Sequence, residues 1–381
     1  MPLSPLTQTD YGQIRRHHSY LFSENDGWIR GKYSHIFLSC VMPTVKFYLN
    51  PYYQTDNYCP EAIQLAQGFK DLGYSVIGNC NYWERNGEFL IKEAEVDFDL
   101  AIFDHRYVYH TKPWVIQDVV DFDKLKNSPK VLLERQCGQE LSPQWNRDGW
   151  LLFFDLICAT DRTNNHPKNN KIIPWQIGVI QEVKDAIWRF YEEPKQEILL
   201  YNFRVPHDVR SAAIEALQNV QNFDGFRLTQ HIDEFPNDLV KSNEHELNRS
   251  TGGRYNPAYF RRINASTAFL TLGGYFSPKP IDYIHKDAFG KIHSPLGRRL
   301  QRKLNTMSGS LFRGHKSPRN SAVLQWDSFR FWEGMYASCA PVALDFDCWN
   351  LALSETPTNG THYLGLKDLN PEQVSKIFSQ L

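Results

Sequence analysis

The feature that most constrains this chain is a short apolar run, a helix and a second short apolar run, with one glycine before the last. Residues 44–49 (Thr-Val-Lys-Phe-Tyr-Leu) read as a strand that Asn50-Pro51 stops. Pro60 stands where a helix would start. Ala62, Leu65, Ala66 and Phe69 then recur at i, i+3, i+4 and i+7, which predicts a helix over 61–72 with one buried face. Gly73 follows as a C′ glycine, and 74–78 reads as a second strand. A strand, a helix and a strand in this order run the strands parallel with a right-handed crossover.

The rhythm continues. Apolar runs at 99–103, 131–133 and 151–157 read as buried parallel strands, with polar residues at their exits. Residues 160–171 are almost wholly polar, and a helix follows over 180–191. A new series then begins: strand 197–201, helix 207–220, strand 226–229, helix 255–265, strand 267–272, helix 328–338 and strand 340–344. The chain ends in a helix opened by Asn370-Pro371-Glu372. The expected class is α/β, with two Rossmann-like domains facing across a cleft. The expected divisions are an N-terminal extension (1–35), an N-terminal α/β domain (36–190) and a C-terminal α/β domain (191–381). Ligands of such sheets bind beyond the carboxyl ends of the strands, so the expected site is the cleft.

Charge narrows the ligand. There are 42 basic and 43 acidic side chains, a formal net charge of -1, which gives no global field for nucleic acid or a membrane surface. An anionic ligand therefore needs a local cluster. The seven cysteines are scattered and odd in number, without a C-x-x-C pair, so reduced thiols and a cytoplasmic setting are expected. No basic region followed by an apolar run opens the chain, and the longest apolar stretch, Ile36 to Val45, falls short of a transmembrane segment. The 14% of aromatic residues suit large cores, and also stacking on sugars or a nucleobase.

Four constellations could carry chemistry. The first is 327–347, where a short helix bears Arg330 and Glu333, small residues follow, and a Pro-Val strand ends in Asp345. Arg330 and Glu333 share a helical face, so they suit a diphosphate and a ribose respectively, or else form a surface pair. The second is Arg204-Val-Pro-His207-Asp-Val-Arg210, between a strand and a helix, where phosphate binds readily. The third is Asp104-His105 at a strand exit, with Glu134 behind it, the residue types for a general base. The fourth is a basic, poorly periodic segment over 275–322, with Arg313 and Lys316 nearest the first constellation; it suits a lid over diphosphate or a solvated loop. No Walker loop, G-x-G-x-x-G or H-E-x-x-H occurs, and D-x-D appears three times, at Asp97, Asp121 and Asp345.

The 327–347 segment resembles the donor-binding motif of GT-B fold glycosyltransferases, most of all the exostosin-like branch. There an S-x-R-x-x-E/D helix precedes Gly-Cys-x-Pro-Val and an acidic strand exit. Ser328, Arg330, Glu333, Cys339, Pro341, Val342 and Asp345 occupy those places, while Ser338 stands where a glycine is usual. The stretches 50–73, 198–210 and 254–274 are similar to other parts of that fold, without the usual Gly-Gly in the first loop. The resemblance implies that the C-terminal half holds a nucleotide-sugar donor and that Glu333 contacts its ribose. It also implies no required metal or other cofactor.

The expected activity is transfer of a sugar from that donor to a saccharide or other hydroxyl acceptor. Asp104 and His105 are the base candidates. Arg330, Arg204, His207, Arg210, Arg313 and Lys316 are the phosphate candidates. The alternatives are a nucleotide-sugar epimerase of the same fold, and a non-catalytic carbohydrate- or partner-binding protein that keeps it.

Overall fold

The first strand–helix–strand unit forms as its periodicity predicts. In a computed structural model of the chain, β1 (Thr44–Tyr48) and β2 (Ser75–Gly78) pair in parallel, joined by α1 (Pro60–Asp71). Pro60 is at the first turn of α1, and Gly73 takes φ +85° beyond its end. The structure describes residues 42–52, 58–85, 87–110, 125, 127–135, 150–160, 162–163, 169–203, 207–218, 227–230, 251–278, 321–324, 326–370 and 372. Arg204, Arg313, Lys316, the extension 1–35 and the helix after Asn370 lie outside these residues, apart from Glu372, as does nearly all of the basic segment.

After β2 come the antiparallel hairpin β3 (Tyr82–Arg85) and β4 (Glu88–Glu93), then β5 (Leu100–Asp104), α2 (His105–His110) and β6 (Lys130–Glu134). The expected strand over 151–157 divides. Its first part is helix α3 (Trp150–Phe153), and only β7 (Leu156–Ala159) pairs with β6. Asp155 makes the break, its carboxylate accepting Lys130 N at 2.8 Å where β7 begins. The short β8 (Arg162–Thr163), β9 (Ile172–Pro174) and α4 (Gln181–Trp188) follow. The first sheet has the order β3-β4-β2-β1-β5-β6-β7-β9, parallel except for the hairpin.

The second sheet draws on β10 (Gln196–Tyr201), β11 (Arg227–Gln230) and β12 (Ser266–Leu270), with α5 (Asp208–Gln218) and α6 (Pro257–Ala265) between them. The basic segment is not wholly irregular. Its ends form an antiparallel pair, β13 (Tyr275–Pro278) with β14 (Ser321–Leu324). Then come α7 (Phe329–Tyr336), β15 (Ala340–Leu344), β16 (Leu351–Ala352) and β17 (Leu364–Leu366). The order β11-β10-β12-β15-β17 is parallel throughout.

The fold is thus α/β with two Rossmann-like halves. Pro43–Leu381 nevertheless packs as one unit. One apolar cluster joins Ile63 and Ala66 of α1, Val183 and Ile187 of α4, Phe260 and Ile263 of α6, and Phe269 of β12. β16 pairs with β8, a second tie between the halves. In each sheet the strand order reverses beside the first strand of its half, between β1 and β5 and between β10 and β12. Those two reversals are where an open α/β sheet leaves a crevice.

Candidate functional site

At the carboxyl ends of β10 and β12 three basic side chains converge. Arg210, one turn into α5, donates from Nε to the Leu272 carbonyl at 2.8 Å and lies 4.9 Å from the Phe203 ring. Arg330, in the first turn of α7, donates from Nε to the Asn202 carbonyl at 2.7 Å. His207 accepts Gly274 N on Nδ1 at 2.8 Å, and its ring is 4.6 Å from that of Tyr275. Burial and the two arginines push the His207 imidazole down to about 4. Burial and Arg330 push the Arg210 guanidinium down to about 10. Two neighbouring guanidiniums, Arg210 and Arg330, create a local positive potential here, although the chain is close to neutral overall.

The α7 segment folds as its motif demands. Ser328 caps it, accepting Arg330 N at 3.3 Å. Gly334 lets it lie close to β12, since a Cβ there would meet Phe269 at 3.3 Å. Beyond the helix, Cys339 N bonds to the Gly334 carbonyl at 2.9 Å, and Ser338 takes φ +51°. This is the left-handed conformation that favours glycine at a helix end.

Arg330 and Glu333 are drawn to different partners. Glu333 is 0% exposed. One oxygen accepts Nε and Nη2 of Arg254, and the other accepts the Tyr259 hydroxyl at 2.6 Å. Tyr259 stands in the first turn of α6, which Asn256 caps by accepting Tyr259 N at 3.0 Å. Burial and then the Glu333 charge hold the Tyr259 phenol well above its ordinary value. Burial works against the charged form of Arg254, but Glu333 and Tyr58 raise its guanidinium above the usual range. Both oxygens of Glu333 are therefore engaged by protein donors.

At the carboxyl ends of β1 and β5 the chemistry is acidic. Asp104, at the end of β5, is 1% exposed. It lies 3.1 Å from His105 Nδ1 and accepts Arg106 N at 3.2 Å. Burial would raise its carboxyl, but the His105 contact and the Arg106 backbone bond lower it overall. Glu134, at the end of β6, and Glu61, in the first turn of α1, are buried too. The Cys59 thiol is pushed up by burial, and further by Asp104 and Glu61. His105 and Asp104, rivals for one role in the sequence, are thus neighbours in space.

Between the two edges lies a junction to which the sequence assigned no role. The Phe329 ring has Arg254 at 4.2 Å, Arg135 at 5.2 Å and the Tyr58 ring at 6.2 Å. Arg135 donates to the Tyr58 carbonyl at 2.9 Å and pairs with Glu61 at 3.8 Å. Asp327 accepts Ile177 N at 2.7 Å, Ser328 N at 2.8 Å and Trp332 Nε1 at 3.1 Å, which pins α7 to the segment after β9. Burial pushes its carboxyl up to about 6. Gly252 and Gly253 take φ +63° and +77° just before Arg254. A Cβ on Gly252 would meet the Tyr58 and Trp83 rings within 2.8 Å. That glycine pair was the available signal for the Arg254 loop, since adjacent glycines mark a left-handed turn or a close approach.

Two D-x-D segments have other work. Asp99 accepts Thr44 N at 2.7 Å, and Asp345 accepts Cys348 N at 2.8 Å and Asn359 Nδ2 at 2.6 Å. Among the described residues no group of three or more His, Cys, Asp or Glu could hold a metal ion. Nor is any helix among them long and apolar enough to cross a membrane.

No protein-family model matches the sequence, and no curated protein matches it. Among solved structures it is similar to the S. aureus MnaA–UDP co-structure, at 12% identity over 61% of this chain and 74% of that one, with a TM-score of 0.29. It is also similar to a Listeria monocytogenes protein described as a UDP-N-acetylglucosamine 2-epimerase, at 9% identity over 61% and 75%, with a TM-score of 0.27.

Proposed function

We propose that this chain is an enzyme acting on nucleotide sugars, and that it transfers the sugar to a hydroxyl acceptor. The observation that carries this reading is the convergence of Arg210, Arg330 and His207 on the strand exits of the second sheet. A diphosphate there would relieve the mutual repulsion of Arg210 and Arg330. As the glycosidic bond to phosphate breaks, the charge on the leaving diphosphate would be met by donors already in place. Arg204, Arg313 and Lys316 would add to this binding. The C-terminal half is then the donor side, and the N-terminal half the acceptor side.

On the acceptor side, Asp104 would orient His105 through Nδ1, leaving Nε2 to take the proton of the attacking hydroxyl. Asp104, 1% exposed against 8% for His105, is the more enclosed of the two. We assign no metal or other cofactor to the reaction, and a cytoplasmic setting on the scattered cysteines.

Epimerisation is the second reading. It is favoured by the buried carboxylates Glu61, Asp104 and Glu134 at one edge, more acid–base groups than a single proton transfer needs. The test is to incubate the protein with a panel of UDP-, GDP-, dTDP- and CMP-sugars in D2O, with and without saccharide acceptors. Nucleotide release that depends on acceptor supports transfer. Deuterium entering the sugar ring without acceptor supports epimerisation. Neither outcome, with no nucleotide bound, leaves only a carbohydrate- or partner-binding protein.

A further inference from the structure

We infer that Arg254 is a further ligand-binding residue of the donor site, positioned by Glu333 and Tyr259, and that Glu333 makes no direct contact with the ribose. This inference rests on the nucleotide-sugar reading above. To bind a ribose diol, a carboxylate must offer free lone pairs on an open surface. Glu333 offers no open surface: it is 0% exposed, with one oxygen turned to Arg254 and the other to Tyr259. Within the ion pair the Glu333 side chain is 1% exposed and that of Arg254 27%, so the guanidinium is the half that reaches the surface.

Arg254 is held in one pose. Its Nε and Nη2 edge faces Glu333, its guanidinium lies over Phe329, and Gly252, one of the two left-handed glycines of its loop, packs against Tyr58 and Trp83. A planar fork fixed along one edge keeps its Nη1 donors for an anion. Glu333, the partner of Arg254, stands three residues after Arg330 on α7. Arg254 is therefore tied to the helix that carries Arg330, beside which the proposed diphosphate would sit.

The test is titration calorimetry of the full chain with UDP, GDP, CDP and ADP, followed by the 2′-deoxy form of the tightest binder. Removing Arg254 alone would strand a buried carboxylate, so the paired variant Arg254→Met/Glu333→Gln is used beside Glu333→Gln and Tyr259→Phe. The paired variant should lose about tenfold or more in affinity, the scale of a charge-assisted hydrogen bond. The loss should be equal for the ribo and 2′-deoxy ligands, and Tyr259→Phe should show a smaller loss of the same kind. Undiminished affinity in the paired variant overturns this inference alone. So does a Glu333→Gln protein that no longer distinguishes ribose from 2′-deoxyribose when the wild type does. A wild type that binds none of the four nucleotides overturns the functional reading and this inference together.

Discussion

The two sheets reverse their strand order in the same way, yet the two crevices carry opposite chemistry. Beyond β1 and β5 stand Glu61, Asp104 and Glu134, all buried. Beyond β10 and β12 stand His207, Arg210 and Arg330. The backbone frame supplies the place in both halves, and a few side chains at the strand exits decide what can bind there. In the first crevice Asp104 is kept ionised by His105 and the Arg106 backbone. In the second, burial and then the two arginines drive His207 toward its neutral form. On the proposed function, an anion would sit in the second crevice, and a hydroxyl that must give up a proton in the first.

The largest expected effect is at the junction between them. Arg254→Ala leaves Glu333 charged, buried and without its cation, and should cost about 3–5 kcal/mol in urea unfolding. A cost under about 1 kcal/mol would mean the pair is open to water, and the contrast between its two members would fall. Next comes Arg330→Ala, which should weaken nucleoside diphosphate binding by about 1.5–3 kcal/mol, with little change in the unfolding midpoint. If affinity is unaltered, the second crevice is not an anion site. Its companion measurement is the His207 titration by NMR, which should move up from about 4 when pyrophosphate is added.

Smaller effects should appear in the pH dependence of stability. The Asp104 carboxyl is lowered on folding, so its contribution is present above the unfolded value and is lost as pH falls through the folded one. Asp104→Asn should flatten that acid limb. Asp327 is the opposite case. Its folded value near 6 lies above the unfolded one, so stability falls as pH rises through that window. Asp327→Asn should remove that fall; if both variants keep the wild-type profile, the two aspartates do not differ as described. The smallest effect is at Ser338, whose φ of +51° suits glycine. Ser338→Gly should stabilise the chain by about 1 kcal/mol, and a loss would mean that the serine side chain compensates for its strain.

Much of the architecture was legible because its signals are local. The α1 stripe, the glycine after it and β15 (Ala340–Leu344) were read within a residue or two. The β3–β4 hairpin was passed over, although Asn86-Gly87 between two alternating runs is a strong hairpin signal. The 151–157 run was misread because a continuous apolar stretch suits a buried helix and a buried strand alike, and only Asp155 divides it.

The sequence by itself determined the α/β class and the residue types at the strand exits, since periodicity and glycine placement act over a few residues. It also brought the 327–347 motif to light. Only the tertiary structure decided what those residues do. Glu333 meets Arg254 and Tyr259 across 79 and 74 positions of chain, and Asp327 meets Ile177 across 150. Such pairings follow from how helices pack on a closed core, and no local spacing records them. Arg330 and Glu333, three apart on an isolated helix, would face water together; packed against β12, Glu333 is drawn inward to an ion pair while Arg330 reaches the sheet's edge.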